Sequence, residues 1–600
     1  MFAVGSGGSF SASYFAALLY QSQGTIAKAI TPLEVYYSKE VIKDTNLLFI
    51  SASGKNSDIL FGFKTAMMHE PNSIISICMI NDTPITKLSN KYSISKSFEF
   101  NIPTGKDGFL ATNCLIAFFT ILYKAFNSDK VKEELKEVDK NFINDLNTFS
   151  SNVTPHHTFI VMYGGWGQPV AIDIESKFTE AALGNVLLSD YRNFGHGRHH
   201  WLAKRSKESA IIALITPREE KIAEKTLLLI PEEIPKLIIK SEYDSPFSSI
   251  DLLAKAFFLA EKIGAIQNID PGKPGVPDFG REIYHLKYAS FYKLKKSPSV
   301  SFQTQLAILR KTKNRSISKM SNEEFNLWLK KYKCFINQFR KGQFGSIVLD
   351  YDGTLCSSEN RTKGPSDKVM HELIRILKAG FVIGIATGRG QSVRKDLQKS
   401  IPKAYWKNVV IGYYNGSDIG ILADSSRPDK TSKTHNSLIK IKNILIKNTF
   451  SIFSFNVDLR PYQLTIEVSD KRNWDKAKAF IQNIVMQFES SNIQLLESSH
   501  SIDIIIKPEA TKHNVISECK KKAISLGIPI DCICIGDKGQ WPGNDFELLS
   551  TPCSLSVDEV SFDPDSCWNI SSAGIRNTDA CIEYLKKIRV LKKHLIFDIK

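Results

Sequence analysis

Short apolar runs recur along the chain, and most end in a small-residue turn that opens a stretch with helical spacing. "MFAVGSGGS" reads as a strand leading into a Gly/Ser turn, and "SASYFAALLYQSQ" continues as a helix. "NLLFISASGKNSDI" repeats the plan, "SIISICMIND" adds a strand, and a helical stretch over about 107–150 closes this series. "TFIVMYGGWGQPVAIDIESKFTEAALG" starts a second series, with "SAIIALITP" and "EKTLLLIP" expected as further strands. Strands alternating with helices predict parallel sheets, so the expected fold class is α/β, with related lobes at 1–150 and 151–286. Residues 287–345 read as a polar, basic, helical linker, and a third α/β unit begins at 346.

The third unit carries the sharper chemistry. In "SIVLDYDGTLCSS", a run buried on both faces ends in Asp350 and Asp352, followed at once by Gly353 and Thr354. Residues at i and i+2 of a strand end point the same way, toward the carboxyl edge of the sheet. One carboxylate there can attack phosphorus, and the other can protonate the leaving alcohol. "GFVIGIATGRG" ends in Thr387, whose hydroxyl can hold a phosphoryl oxygen. "DIIIKPEATKHN" supplies Lys512, with Lys507 as its rival, and "CICIGDKGQWPGNDFELL" supplies Asp537, then Asn544 and Asp545. Clustered carboxylates need a divalent ion, and hard oxygen donors suit Mg²⁺.

In this order the four motifs resemble the haloacid dehalogenase (HAD) phosphohydrolase superfamily. The resemblance implies a nucleophile at Asp350, an acid/base at Asp352, phosphate contacts from Thr387 and Gly388, and charge neutralisation by Lys512. It implies Mg²⁺ held by Asp350, Asp537 and the backbone carbonyl of Asp352. Four residues are inserted in the last motif relative to the common spacing, which leaves Asn544 and Asp545 unassigned. The family carries a type two cap between its second and third motifs, so the expected division is a core of 346–390 and 508–600 around a cap of 391–507. "YYNGSDI" (413–419) is similar to the Cof and sucrose-phosphatase group, which implies a sugar phosphate or another small phosphate ester as substrate. Arg460 and Lys471 are candidate cap residues for gripping it.

In the first half, two Gly/Ser loops follow strands and open helices, an arrangement that presents backbone N–H groups to an anion. Residues 1–285 resemble the sugar isomerase (SIS) family, in particular the isomerase half of glucosamine-6-phosphate synthase. The resemblance implies that Gly7, Gly8, Ser9, Ser51, Ser53 and Asn56 bind a sugar phosphate. It also implies a catalytic Lys177, Glu180 and His196, within "ESKFTEAALGNVLLSDYRNFGHG". Lys177 and Glu180 share a helix face at i and i+3, a carboxylate can move a proton between adjacent sugar carbons, and a histidine can open the ring. With no glutaminase domain in the sequence, the expected activity is isomerisation, deglycation or sensing of a phosphosugar, in a homodimer or larger assembly formed through these lobes.

The totals change this picture little. The 600 residues carry 78 Lys/Arg against 62 Asp/Glu, a net charge of +16. Much of the excess lies in 287–345, where fourteen Lys/Arg meet only Glu323 and Glu324. Interleaved aromatics there (Tyr288, Phe291, Tyr292, Trp328, Tyr332) admit nucleic acid as a partner, but a solvated linker is the expected reading. The ten scattered cysteines lack zinc or redox spacing, Cys532 and Cys534 read as small buried hydrophobes, and a reducing cytoplasm is the expected compartment. No apolar run is long enough to span a membrane, and the N-terminus lacks a basic leader.

Overall fold

The computed structural model describes residues 1–103, 107–127, 133–286, 290–291, 300–314, 316–357, 364–429, 431–448, 455–468, 473–488, 492–498 and 500–599. The chain divides into two compact units, Met1–Leu294 and Lys295–Lys600.

The N-terminal unit holds two parallel sheets. Strands β1 (Phe2–Val4), β2 (Lys28–Ile30), β3 (Asn46–Ile50), β4 (Ser73–Cys78) and β5 (Ser95–Glu99) form a sheet in the order β2-β1-β3-β4-β5. Strands β6 (Thr158–Tyr163), β7 (Asn185–Asp190), β8 (Ser209–Ile215) and β9 (Lys236–Lys240) form the other, in the order β7-β6-β8-β9. In each sheet the chain reverses its direction of travel beside the first strand, and such a switch point opens a crevice at the carboxyl ends of the strands. All seven residues of β8 are buried, as a parallel strand covered on both faces requires. The helix Phe247–Ile266 lies along the same core, with Leu252, Leu253, Leu259 and Ile263 buried.

One expected strand is a helix. "EKTLLLIP" falls in the helix Glu220–Leu228 and the turn after it, and the next strand is β9. Ala223 and Leu227 bury one face of that helix, while Leu228 and Leu229 stand 84% and 86% exposed. A short apolar run does not by itself distinguish a helix end from a strand.

The C-terminal unit is built on a second kind of sheet. Its strands are β10 (Phe344–Asp350), β11 (Val382–Ala386), β12 (Val409–Tyr413) and β13 (Asp418–Ile421). The chain then leaves for a four-stranded antiparallel cap of β14 (Phe455–Leu459), β15 (Gln463–Val468), β16 (Ile493–Glu497) and β17 (Ser501–Ile506). It returns as β18 (Asp531–Lys538) and β19 (Ser554–Glu559), ending in β20 (Ile588–Val590) and β21 (Leu595–Phe597). The core order β13-β12-β11-β10-β18-β19 puts the switch point between β10 and β18. The helix Asp367–Lys378 shows how the core is closed. Val369, Met370, Leu373, Ile376 and Leu377 form one buried stripe at helical spacing, and Gly380, at φ +88°, ends the turn.

Two expected boundaries move. Residues 391–421 belong to the core rather than the cap, because β12 pairs in parallel with β11 and β13 pairs with β12. The basic segment expected as a solvated linker is, from Phe302, packed structure. The helices Phe302–Thr312 and Asn322–Lys341 bury Ala307, Ile308, Phe335 and Phe339 in the core of the C-terminal unit. Arg310 donates to Asn569 Oδ1 (2.9 Å) and to the Ser571 carbonyl (2.8 Å), and Lys311 donates to the carbonyls of Ser566 (2.7 Å) and Cys567 (2.9 Å). Burial pushes the Lys311 ammonium down to about 8. Tyr288, Tyr292 and the cap's Lys471 lie outside the described residues.

Among the described residues no disulfide joins the cysteines, and Cys532 and Cys534 lie side by side in β18. Among the described residues, no helix is long and apolar enough to cross a membrane.

Candidate active site

Two strand ends at the switch point of the C-terminal sheet bring the acids together. Asp350 ends β10, and Asp537 lies near the end of the neighbouring β18. Asp545 joins them, and carboxylate oxygens of Asp350, Asp537 and Asp545 lie within 4.8 Å of one another, all buried. Lys512, just before the helix His513–Leu526, donates to Asp350 Oδ1 (2.7 Å) and also to Asp545. Asp545 Oδ2 accepts from the backbone N–H of Asp537 (2.9 Å) and of Lys538 (3.3 Å). Gly353, at φ +85°, makes the turn possible. A Cβ there would stand 2.2 Å from Asp537 Oδ2, so a side chain would displace the acid. Lys507, the rival lysine, pairs with Glu547 instead.

The electrostatics call for a cation. Burial, then the nearby Asp545 charge, pushes the Asp350 carboxyl up to about 8, against the pull of Lys512. Burial, with Asp545 and Asp350 alongside, also holds Asp537 well above the carboxylate range. Burial opposes the charge on Asp545, but Lys512 and the hydrogen bonds around Asp537 hold its carboxyl low. Lys512 is held above its ordinary value against burial by Asp350 and Asp545. Lys512 thus bonds two of the three acids, and Asp350 Oδ2 is buried with no hydrogen-bond partner. An all-oxygen set with an orphaned acceptor fits a hard divalent ion such as Mg²⁺.

Asp352 takes a different partner. Arg389, which follows Thr387 and Gly388, holds its carboxylate through two donors, one at 2.8 Å, and stacks over Tyr351. Buried Thr387 accepts from the Arg389 N–H (3.0 Å). Asp350, Asp352, Gly388, Arg389 and Asp537 line a cavity of about 1140 Å³ between core and cap, whose cap wall includes Arg460, His500 and Asp503. Arg460 pairs with Asp458 (2.7 Å) and lies over the Tyr414 ring.

A buried polar cluster seats the cap beside Gly388. Asn415 donates to Gln463 Oε1 (3.1 Å) and to Asp503 Oδ2 (3.3 Å), and Gln463 donates to the Gly388 carbonyl (3.2 Å). Burial pushes the Asp503 carboxyl up to about 6, against its hydrogen bonds. The folded protein therefore keeps a proton that the unfolded chain releases near pH 4. This group's contribution to stability is full below about pH 4 and is lost as pH rises through about 6. Urea unfolding is expected to show a loss on the order of 2–3 kcal/mol between pH 4 and 7 that is absent in Asp503→Asn. Parallel pH profiles for the two proteins would refute this.

The four-residue insertion proves to be a bridge. Glu497, the last residue of β16, donates its N–H to the Pro542 carbonyl (2.8 Å), and its own carbonyl accepts from the Asn544 N–H (3.0 Å). The Glu497 carboxylate is held by Trp474 Nε1 (2.9 Å) and Lys478. The loop that carries Asp545 is thus hydrogen-bonded to a cap strand.

The N-terminal candidates separate. Gly7, Gly8 and Ser9 form a 3-10 turn after β1, and Ser51 and Ser53 lie in the turn after β3, so both loops sit at one switch point. Ser51 Oγ accepts from Gly54 N–H (3.2 Å), and Ser53 Oγ accepts from Lys55 N–H (3.3 Å). Asn56 is a helix cap, with its Oδ1 accepting from Asp58 (2.8 Å) and Ile59 (3.1 Å). Lys177 is buried on Asp173 and over the Phe257 ring, whereas Glu180 and His196 are exposed. No hydrogen bond or ion pair joins the three among the described residues. Asp173 is fully buried and Ser11 also donates to it (3.5 Å), so Lys177→Met would leave a carboxylate without its cation. A loss of about 3–5 kcal/mol in unfolding is expected, and a loss under about 1 kcal/mol would mean that the pair is not structural.

Three functional residues escaped the sequence reading or were left unassigned: Arg389, Asn415 and Asp545. Arg389 and Asn415 stood in quoted motifs, but their partners Asp352 and Asp503 are remote in sequence. Asp545 was obscured by the insertion.

Residues 347–525 match the family described as haloacid dehalogenase-like hydrolase. No curated protein matches the chain. Among solved structures, the N-terminal half is similar to phosphosugar isomerases. One is the tagatose-6-phosphate ketose/aldose isomerase of Escherichia coli, at 14% identity, covering 46% of this chain and 84% of that one, with a TM-score of 0.37. The glucosamine-6-phosphate deaminase of Thermotoga maritima gives 15% identity, 46% and 87% coverage, and a TM-score of 0.37. An IMP-nucleotidase of Plasmodium falciparum gives 13% identity, 47% and 79% coverage, and a TM-score of 0.31.

Proposed function

We propose that the haloacid dehalogenase-like hydrolase domain of this chain is a Mg²⁺-dependent phosphatase acting on a sugar phosphate. The observation that carries the reading is the convergence of Asp350, Asp537 and Asp545 around Lys512 at a capped cavity. Asp350 attacks phosphorus, and the ester P–O bond breaks as an aspartyl phosphate forms. Asp352 leaves Arg389, takes up a proton from solvent, and passes it to the leaving oxygen as the ester bond breaks. It then takes a proton from the water that attacks the same phosphorus, which frees inorganic phosphate and restores Asp350. Thr387 and Lys512 hold phosphoryl oxygens. Asp350, Asp537 and Asp545 would hold Mg²⁺, whose charge would offset that of the phosphoryl group.

The test is phosphate release over a panel of sugar phosphates, nucleotides and phosphopeptides, with Mg²⁺ and with EDTA. Release from sugar phosphates only with Mg²⁺ is expected. Release confined to nucleotides or phosphopeptides would sink the substrate assignment, and none from any substrate would sink the hydrolase.

For the N-terminal unit, the engagement of buried Lys177 by Asp173, with Glu180 and His196 exposed, favours a phosphosugar-binding module that gates the phosphatase. Binding of a phosphosugar without any isomer product is expected in the wild type and in Glu180→Gln alike. An isomer formed by the wild type and lost in Glu180→Gln would make this unit an enzyme instead.

A further inference from the structure

Burial accounts for only part of the basic segment. Arg310 and Lys311 hold the 566–572 loop, but Lys333 and Arg340, one turn and three turns from Lys330 on the helix Asn322–Lys341, line a crevice of about 680 Å³. Lys586 and Lys587, at the end of the helix Asn577–Lys587, line it too. Among the described residues, no hydrogen bond or ion pair engages the ammonium of Lys333 or Lys586. Arg340 donates to the Ile599 carbonyl (3.3 Å), and Lys587 pairs with Glu583 (2.7 Å). Asp598, the acid in the lining, lies 3.6 Å from Arg589.

Four cations gathered in one concave place repel one another, and a crevice focuses their field on whatever enters it. The volume is that of a small-molecule site rather than of a groove tracking a polymer. The lining also carries apolar surface from Ile336 and Ile570, which suits an organic group attached to the anion. No described residue lines both this crevice and the catalytic cavity. We propose that the crevice is a second, non-catalytic site for a small phosphate monoester, held by Lys333, Arg340 and Lys586. The assignment stands independently of the phosphatase reading.

Amine labelling of the full chain, read by mass spectrometry, tests it. EDTA suppresses metal-dependent binding in the catalytic cavity, and the probes are glucose 6-phosphate, inorganic phosphate and a single-stranded oligonucleotide. Glucose 6-phosphate is expected to reduce labelling of Lys333 and Lys586 several-fold and to leave Lys521, which is remote in sequence and paired with Glu518, unchanged. Protection by inorganic phosphate alone would overturn the ester assignment, and protection by the oligonucleotide alone would point to nucleic acid instead. Unchanged labelling with all three would remove the site. In calorimetry with glucose 6-phosphate under EDTA, beside any component from the N-terminal unit that both proteins share, the double variant K333E/K586E is expected to weaken one binding component at least about tenfold. Both lysines are exposed, so its unfolding midpoint is expected to match the wild type. Unchanged affinity in a folded variant would overturn the proposal.

Discussion

Asp350→Asn is expected to lower phosphate release by about 10⁴-fold or more, with the fold intact. The amide keeps the shape of the side chain but removes the nucleophilic oxygen's charge, and Asp352, the neighbouring carboxylate, is engaged by Arg389. Lys512 retains Asp545 as a partner, and burial already disfavours the charged form of Asp350. Thermal unfolding without metal is therefore expected to stay close to that of the wild type. The measurement is the initial rate with Mg²⁺ on the best substrate of the panel, beside a melting curve. A variant that keeps a tenth of the wild-type rate would show that another residue attacks phosphorus.

Lys512→Met is expected to be the more damaging to the fold. It leaves three buried carboxylates within 4.8 Å of one another with no ammonium among them. Removing one partner of a buried ion pair costs about 3–5 kcal/mol, because the remaining charge is neither solvated nor paired. A divalent ion would supply part of the missing charge. The unfolding midpoint of the variant is therefore expected to rise more steeply with Mg²⁺ than that of the wild type. Equal Mg²⁺ responses would mean that the triad does not hold the ion. Lys512→Arg keeps the charge but not the compact ammonium, so it separates the loss of charge from the loss of fit.

The two halves differ in how much their sequences disclose. In the C-terminal unit, Asp350, Thr387, Lys512 and Asp537 each stand at a strand end or a helix start, so local pattern was enough to locate them. The acid cluster was less legible. Asp352 was expected to contribute its backbone carbonyl, and the structure adds the Asp545 carboxylate to Asp350 and Asp537. The intervening loop is long because it reaches a cap strand before returning, and nothing near 539–542 in sequence names Glu497 as its partner. In the N-terminal unit, i and i+3 spacing put Lys177 and Glu180 on one helix face. It did not say that Asp173, one turn earlier, would draw Lys177 inward while Glu180 stayed outside.

The basic segment makes the same point from charge. Composition marked it as a linker, yet Arg310 and Lys311 are buried cations whose partners are mostly backbone carbonyls some 255 residues or more away in sequence. Carbonyls carry no sequence signature, so only folding reveals where such a cation goes.

Apart from the helix Glu220–Leu228, the strand–turn–helix units read above, and with them the α/β class and the strand ends that bear acids, were determined by the sequence alone. Periodicity and turn chemistry are local properties, written within a few residues of where they act. The partners of Asp352, Lys311 and Asp545 were decided by the tertiary structure. A buried charge takes whichever complementary group packing brings within reach, and that group can come from anywhere in the chain.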